Sequence, residues 1–397
     1  MLIETYDLDT WQVQVFDSID DLDQSLWDST LAFHHPFRSH AFMQVVEACF
    51  HDRDYRYLVA RRPGSAQVAG MLFVTQQDLD LMAEAPAWLR RGVGPLRRLV
   101  PRIGMLRVAM LGCFETAGQH WWVAPEHDQD ELFALLVTSA ERALPRARVH
   151  VVRDLDRENA SHAAFDGLLH RRGFRHCHNY PLALIHLHGL DWAGHYARLK
   201  ANSRKILKKA LSSFEASGYR VLHHEGEVPG LERLYELYVC THRHATEYQR
   251  EQLPLAFLQR LQGSDQAVFS VLLDPNDRAV AFVLSGVGER VINPFLFGRD
   301  YAVDLPVNAY YVLHIDLLRR FASPATERVD LGITNYFVKQ NLGSQLSGSG
   351  LYLKLKNPVL NRILGPHVAE MFDIKQPSQR RVFRAAAQSE AEPAGPA

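Results

Sequence analysis

The chain is short of cysteine, long apolar runs and net charge, and each shortage closes off a class of function. Its four cysteines, Cys49, Cys113, Cys177 and Cys240, stand far apart with no Cys-x-x-Cys pair. That spacing argues against a disulfide framework or a zinc site and leaves buried thiols in a reducing compartment as the expectation. No stretch approaches the ~20 uninterrupted apolar residues that cross a bilayer. The start, Met1-Leu-Ile-Glu-Thr-Tyr-Asp7, lacks a basic region followed by an apolar core, so a cytoplasmic protein is expected. With 44 Lys+Arg against 45 Asp+Glu the formal net charge is −1, and the field of the whole molecule offers no general attraction for nucleic acid. Neither a metal-ligand cluster nor a Gly-x-Ser-x-Gly elbow is present, so no metal and no serine nucleophile are expected. The last residues, 385–397, are rich in Ala, Glu and Pro and read as a disordered tail.

What is present is a repeated α/β plan. The 397 residues, 47% of them hydrophobic, suffice for two cores, and at ~150 residues per domain two domains are expected. In the first half Trp11–Phe16 alternates like a half-buried strand, residues 21–27 open a helix, and 57–60 and 68–74 flank a Pro63-Gly64-Ser65 turn. A second hairpin, 268–287 turning at Asp274–Asp277, lies roughly 210 residues further on, and such a period marks internal duplication. After each hairpin come the same elements: a strand (107–111; 291–297), an amphipathic helix (130–144; 307–321) and a second strand (148–152; 328–331). Parallel strands joined through a helix require a right-handed crossover, so each half is expected to be a mixed, mostly antiparallel sheet flanked by helices. The linker is placed near 186–192, giving domains 1–188 and 189–376, the first with an insertion over 79–107.

The second copy carries the polar signature. A helix over 196–218 has Leu199, Ile206, Leu207, Leu211 and Phe214 on one face, with Lys200, Arg204, Lys205, Lys208 and Lys209 around the rest. Later come Asp330-Leu-Gly332 and Asn335-Tyr-Phe-Val-Lys339-Gln-Asn-Leu-Gly343. The order of elements, the basic helix, the AspLeuGly after a strand and the Lys339 to Gly343 run resemble the duplicated GNAT-type acyltransferases of the Fem-like group. That group includes peptidoglycan aminoacyltransferases and bacterial ceramide synthase-like proteins. The resemblance spans about 10–375. It implies two tandem GNAT-like domains with a cleft between them, the active site over the second domain's split sheet, and acyl-CoA or an acyl carrier protein as co-substrate with no bound cofactor.

Such chemistry is attack of an amine on an activated acyl carbonyl, which needs a proton route, oxyanion donors and a slot holding both partners in line. The resemblance puts Lys339 at the family's lysine, as a cation for a donor phosphate or carbonyl oxygen; the plainer reading is a solvated helical lysine. Asp330, at a parallel strand's C-terminal end, stands where α/β sheets place functional groups, or caps a turn. His314, four residues after Tyr310, is a candidate base, although one of twenty histidines is weak evidence. Asn308 is a plausible helix cap. Ordinary acyl-CoA enzymes carry a glycine-rich loop before this helix for the pyrophosphate. Here Arg299-Asp-Tyr-Ala-Val-Asp-Leu-Pro306 has no glycine, so Arg299, Lys205, Asn308, Tyr310 and Lys339 are the candidate donor contacts. His244 and Glu247, in the cluster following a helix over 231–239, and Asn335 are candidate acceptor contacts.

Residues 85–107 hold six arginines and no acidic residue among Trp88, Leu89, Leu96, Leu99 and other apolar residues. Such a segment suits peripheral contact with anionic lipid at the inner membrane, or a lid on the protein. Two functions follow as expectations. One is N-acyl transfer to the amine of a lipid-like acceptor, a sphingoid base giving a ceramide being its sharpest form. The other is tRNA-dependent aminoacyl transfer to a cell-wall precursor or peptide, with the basic helix tracking tRNA phosphates.

Overall fold

Strands form where the pattern demands them. Trp11–Phe16 buries every second side chain, and Ala267–Leu273 and Ala279–Val287 are mostly apolar and buried at nearly every position because both faces of that sheet are covered. The computed structural model describes residues 1–8, 10–31, 35–80, 91, 95, 97–98, 100, 102–156, 162–246 and 251–384. Glu247, much of the arginine-rich segment 85–107 and the tail 385–397 lie outside the described residues. Two units are present, and both are interleaved along the chain. Unit 1 holds Met1–Asp23, Phe50–Asn179 and Ser349–Lys375; unit 2 holds Gln24–Cys49, Tyr180–Gly348 and the described residues from Gln376 on.

Unit 1 is a sheet in the order Leu2–Leu8, Trp11–Phe16, Asp54–Arg61, Val68–Asp80, Met105–Leu111, Val149–Asp156, Ser349–Leu355, Arg175–His178, with Trp121–Val123 paired to Val68–Asp80. The helix Gln129–Ala143 starts at Asp128, whose carboxylate accepts from the N–H groups of Asp130 and Glu131. It buries Leu132, Phe133, Leu136, Val137 and Ala140 in the main core of this unit. Unit 2 orders its strands Arg220–Glu225, Ala267–Leu273, Ala279–Val287, Val291–Arg299, Arg328–Asp330, Leu182–His186, Gln345–Ser347. Its crossover helix Ala309–Phe321 packs Tyr311, Ile315, Leu317 and Leu318 into one core cluster and Val312 and Leu313 into another.

The contiguous division at 188 therefore differs from the one observed. In unit 2, Leu182–His186 pairs with both Arg328–Asp330 and Gln345–Ser347. In unit 1, Ser349–Leu355 lies between Val149–Asp156 and Arg175–His178. Periodicity identifies a strand but not the edge it joins, and both of these pairings are non-local. The single helix expected over 196–218 is two, Trp192–Arg198 and Ala201–Glu215. At the break Leu199 is extended and bridges Phe383, and the Lys200 N–H donates to the Val382 carbonyl. A distant segment thus takes the backbone bonds that a continuous helix would have used. The helix Leu231–His244 extends into the polar cluster expected to follow it, taking in Thr241 to His244. The helix expected from residue 21 begins at Gln24, after a 3-10 turn over Ile19–Asp21. All four cysteines are free thiols, Cys113 and Cys177 buried and Cys49 and Cys240 half-buried.

Candidate active site

The parallel pair of unit 2 separates almost as soon as it forms. Register runs Val291↔Arg328 and Ile292↔Val329 and stops, while the first strand continues to Arg299. In unit 1 the corresponding pair stays in register from Val108↔Val149 to Leu111↔Val152. Two local features mark the split. Pro294 has no N–H to offer a ladder, and the register with Ala279–Val287 shifts between Leu284 and Ser285, a bulge around Phe295. The mouth is tied by Asn293, whose Nδ2 donates to the Asp330 carbonyl at 2.7 Å.

At this mouth stands a buried pair. Asp330 Oδ1 accepts from the Gly332 N–H at 2.8 Å, and Oδ2 lies 3.6 Å from His35 Nε2. His35 is brought here by the segment Gln24–Cys49. Trp27 Nε1 donates to the Arg38 carbonyl at 2.7 Å, and the His40 N–H donates to Asp28 Oδ1 at 2.8 Å, so the C-terminal end of the turn Pro36–Arg38 is tied to the helix Gln24–Thr30. Gly286 accepts that turn: a Cβ there would stand 2.7 Å from Pro36 Cγ and 3.0 Å from the Phe37 ring. Phe37, Phe42 and Phe257 then gather around Phe295 at centroid distances of 4.8, 6.2 and 6.2 Å.

The protonation pattern follows from the contacts. Burial, with the Arg38 charge, lowers His35 to about 4. Its Nδ1 accepts from the Phe37 N–H at 3.2 Å, which leaves the proton on Nε2, facing Asp330. Burial opposes the charge of Asp330, but the His35 contact and the Gly332 N–H outweigh it and hold the carboxyl below its usual range. Across neutral pH the pair is a carboxylate facing a neutral imidazole, because the backbone donor supports Asp330 after His35 has lost its charge.

The loop after Asp330 is strained. Gly332, Thr334 and Asn335 all have left-handed backbone, with φ of 69°, 64° and 49°. Lys339 holds it: the side chain is 6% exposed and its ammonium donates to the Ile333 carbonyl. This buried position differs from the solvated helical lysine and ties the ammonium to the loop backbone. Asn335 sits exposed at the start of the helix Tyr336–Asn341 without capping it through its side chain.

His314 is a poor base as placed. Its Nδ1 donates to the Tyr310 carbonyl at 2.7 Å, its ring stacks on Tyr310 at 3.9 Å, and burial lowers its pKa to about 3. The nearby Lys339 charge contributes to that lowering. Burial raises the Tyr310 hydroxyl, so it stays protonated. Asn308 is the helix cap, its Oδ1 accepting from the Tyr311 N–H at 3.2 Å. Asp330 and Asn335 thus bound the loop that Lys339, from the following helix, holds, and Lys339 lies near His314.

The remaining candidates lie elsewhere. Arg299 stacks its guanidinium 4.6 Å from the Tyr301 ring, and His244 stacks on the same ring at 4.2 Å, so a donor and an acceptor candidate both pack on Tyr301 beyond the far end of the split strand. Lys205 joins Tyr196, Arg204, Lys208, Lys209 and Ser212 in an open groove of about 500 Å³. The sequence reading missed His35, Asn293 and Gly286. A histidine in front of a proline and a glycine within an apolar strand were the only local signals. It also missed His223, whose ring nitrogens lie 2.8 Å from Ser270 Oγ and 2.8 Å from Asp316 Oδ2. Ser270 is 0% exposed, so this trio fastens strand to helix and presents no nucleophile.

Residues 201–340 match the acetyltransferase (GNAT) domain family. No curated protein matches the sequence. Among solved structures, FemX superposes with a TM-score of 0.57 at 11% identity, covering 86% of this chain and 98% of that one. A tandem GNAT protein from the clavulanic acid biosynthesis pathway gives 0.52 at 11% identity, covering 87% and 99%. L-PGS from Bacillus licheniformis gives 0.50 at 11% identity, covering 85% and 92%. At this identity the likeness is one of fold, and it agrees with the duplicated sheets. The chain has a tandem GNAT fold, and residues 201–340, within its second unit, match the GNAT acetyltransferase domain.

Proposed function

We propose that the protein transfers an acyl group from a thioester donor, acyl-CoA or an acyl carrier protein, to the amine of a lipid-like acceptor, with a sphingoid base giving a ceramide as the sharpest form. The observation that carries this reading is the split beyond Ile292 with the Asp330–His35 pair at its mouth. The amine nitrogen attacks the thioester carbonyl, the C–N bond forms, the C–S bond breaks and the thiolate leaves with the donor. One ammonium proton passes to solvent through water oriented by the Asp330 carboxylate, which His35 and Gly332 hold in one orientation, and the second, lost from nitrogen as the amide forms, goes to the departing thiolate. Phe295, half-buried and backed by the buried Phe37, Phe42 and Phe257, is the apolar side chain beside the split that an acyl chain would meet.

A second reading, tRNA-dependent aminoacyl transfer to a cell-wall precursor or peptide, is favoured by the cationic groove along Ala201–Glu215. The two separate in one assay. The purified chain is given fatty acyl-CoA with a panel of long-chain amines, or aminoacyl-tRNA with an amine-bearing peptide, and products are followed by thiol release and mass spectrometry. An amide from acyl-CoA that disappears in Asp330→Asn supports the first reading. Product from aminoacyl-tRNA alone, abolished by Lys205→Glu with Lys208→Glu, replaces it with the second.

A further inference from the structure

The short helix Tyr336–Asn341 of unit 2 carries Lys339 and ends in two enclosed polar residues, Gln340 at 2% exposure and Asn341 at 0%. A buried carboxamide needs partners at both its ends. Those of Gln340 come from one place, the segment 376–384 of the same unit. Gln340 Oε1 accepts from the Arg380 N–H at 2.6 Å, and Nε2 donates to the Ser378 carbonyl at 3.3 Å. Asn341 divides its two ends. Its Oδ1 accepts from Arg380 Nη1 at 3.0 Å, and its Nδ2 donates to the Tyr311 hydroxyl at 2.9 Å, which ties the segment through Asn341 to the crossover helix Ala309–Phe321.

The segment has anchors on both sides of Arg380. Gln379 Oε1 accepts from the Leu346 N–H at 2.8 Å. Val382 and Phe383 are buried in the core cluster that also holds Tyr311 and Leu342. The Phe383 ring meets His195 edge-on at 5.7 Å, and His195 Nε2 donates to the Leu342 carbonyl, just past the helix, at 2.9 Å. What the segment holds in turn holds the site. Lys339 donates to the Ile333 carbonyl across the left-handed loop, and the Gly332 N–H donates to Asp330 Oδ1. A helix of six residues has too few backbone bonds to keep its place without packing. With the segment displaced, both ends of Gln340 and the Oδ1 of Asn341 would be buried without partners, so the helix would have to move toward water and take Lys339 with it.

We propose that residues 376–384 are a latch on the Asp330 loop, with Arg380 and Gln340 as positioning residues that act through the helix Tyr336–Asn341 and Lys339. The site is complete only while the latch is docked. Its effect on turnover rests on the acyl-transfer reading, and its effect on the loop does not. The full chain is compared as wild type, Arg380→Ala, Gln340→Met and the double variant, by amide hydrogen exchange and steady-state acyl transfer. Gln340→Met keeps the bulk of the side chain and removes both of its bonds to the segment. Each variant is expected to speed exchange over 331–341 by roughly tenfold or more. Exchange over Ala279–Val287 stays unchanged and is the folding control, while kcat falls and KM for the donor holds within about twofold. The double variant is expected to be no worse than the more severe single one, since both changes open one latch. Unchanged exchange over 331–341, or exchange raised equally over Ala279–Val287, overturns the latch. Faster loop exchange with an unchanged kcat overturns the positioning role. A wild type that forms no amide from any thioester donor refutes the acyl-transfer reading alone, and the exchange pattern then supports or overturns the latch by itself.

Discussion

The imidazole of His35 faces the carboxylate of Asp330 with Nε2 3.6 Å from Oδ2, two residues from opposite ends of the sequence brought to the point where a parallel sheet opens. His35 keeps its proton on Nε2 because Nδ1 is occupied by the Phe37 N–H. Asp330→Asn removes the charge while preserving shape, and a group that assists proton transfer is worth about 10²–10⁴ in rate. A fall of that size in kcat with a small change in KM is expected from steady-state acyl-transfer kinetics. His35→Gln, which can still donate toward Asp330, is expected to retain more activity than His35→Ala.

Gly286 has no side chain where Pro36 presses on the sheet. Gly286→Ala is expected to force the Pro36–Arg38 turn outward and cost about 1–3 kcal/mol, the usual penalty of overpacking. Thermal unfolding reads the stability loss. Because His35 moves with that turn, kcat is expected to fall further than stability alone would explain at temperatures well below the transition.

Stability should decline on mild acidification. Burial lowers His35, His150 and His195 to about 4 and His314 to about 3. Each binds its proton more weakly folded than unfolded, so the contribution is complete above the unfolded value of 6.5 and is lost as pH falls from there toward 4. The slope is up to ~1.4 kcal/mol per pH unit for each such group. Denaturant titrations at several pH values between these limits check it. A flat profile would show that these rings are hydrated or shielded in solution.

Lys339 is expected to act through the loop. Lys339→Met keeps the bulk but leaves the Ile333 carbonyl without this donor, at a cost of ~1–3 kcal/mol. Faster amide exchange over residues 331–335 together with a reduced kcat is the expected signature. A variant with normal loop exchange and a raised KM for the donor would instead return Lys339 to direct donor binding.

Local chemistry made much of this chain legible from its letters. The strand at Trp11–Phe16, the hairpin turning at Asp274 and the cap at Asn308 each depend on residues adjacent in sequence, where periodicity and hydrogen-bonding side chains speak directly. The duplication was visible for the same reason, since the order of elements survives when identity fades. What the letters could not give were relations between distant segments. The basic helix breaks at Leu199 because Val382 and Phe383 claim its backbone groups. Leu182–His186 and Ser349–Leu355 were placed by edges that no local pattern names. Asp330 could be suspected from its place at the end of a strand, whereas His35, one histidine among twenty, acquired meaning only when Gly286 let Pro36 approach. Burial was equally out of reach of the letters: His314 and Lys339 are enclosed and bonded to backbone carbonyls, and the cost of a buried charge or an unpaired donor is set by surroundings that only tertiary packing creates.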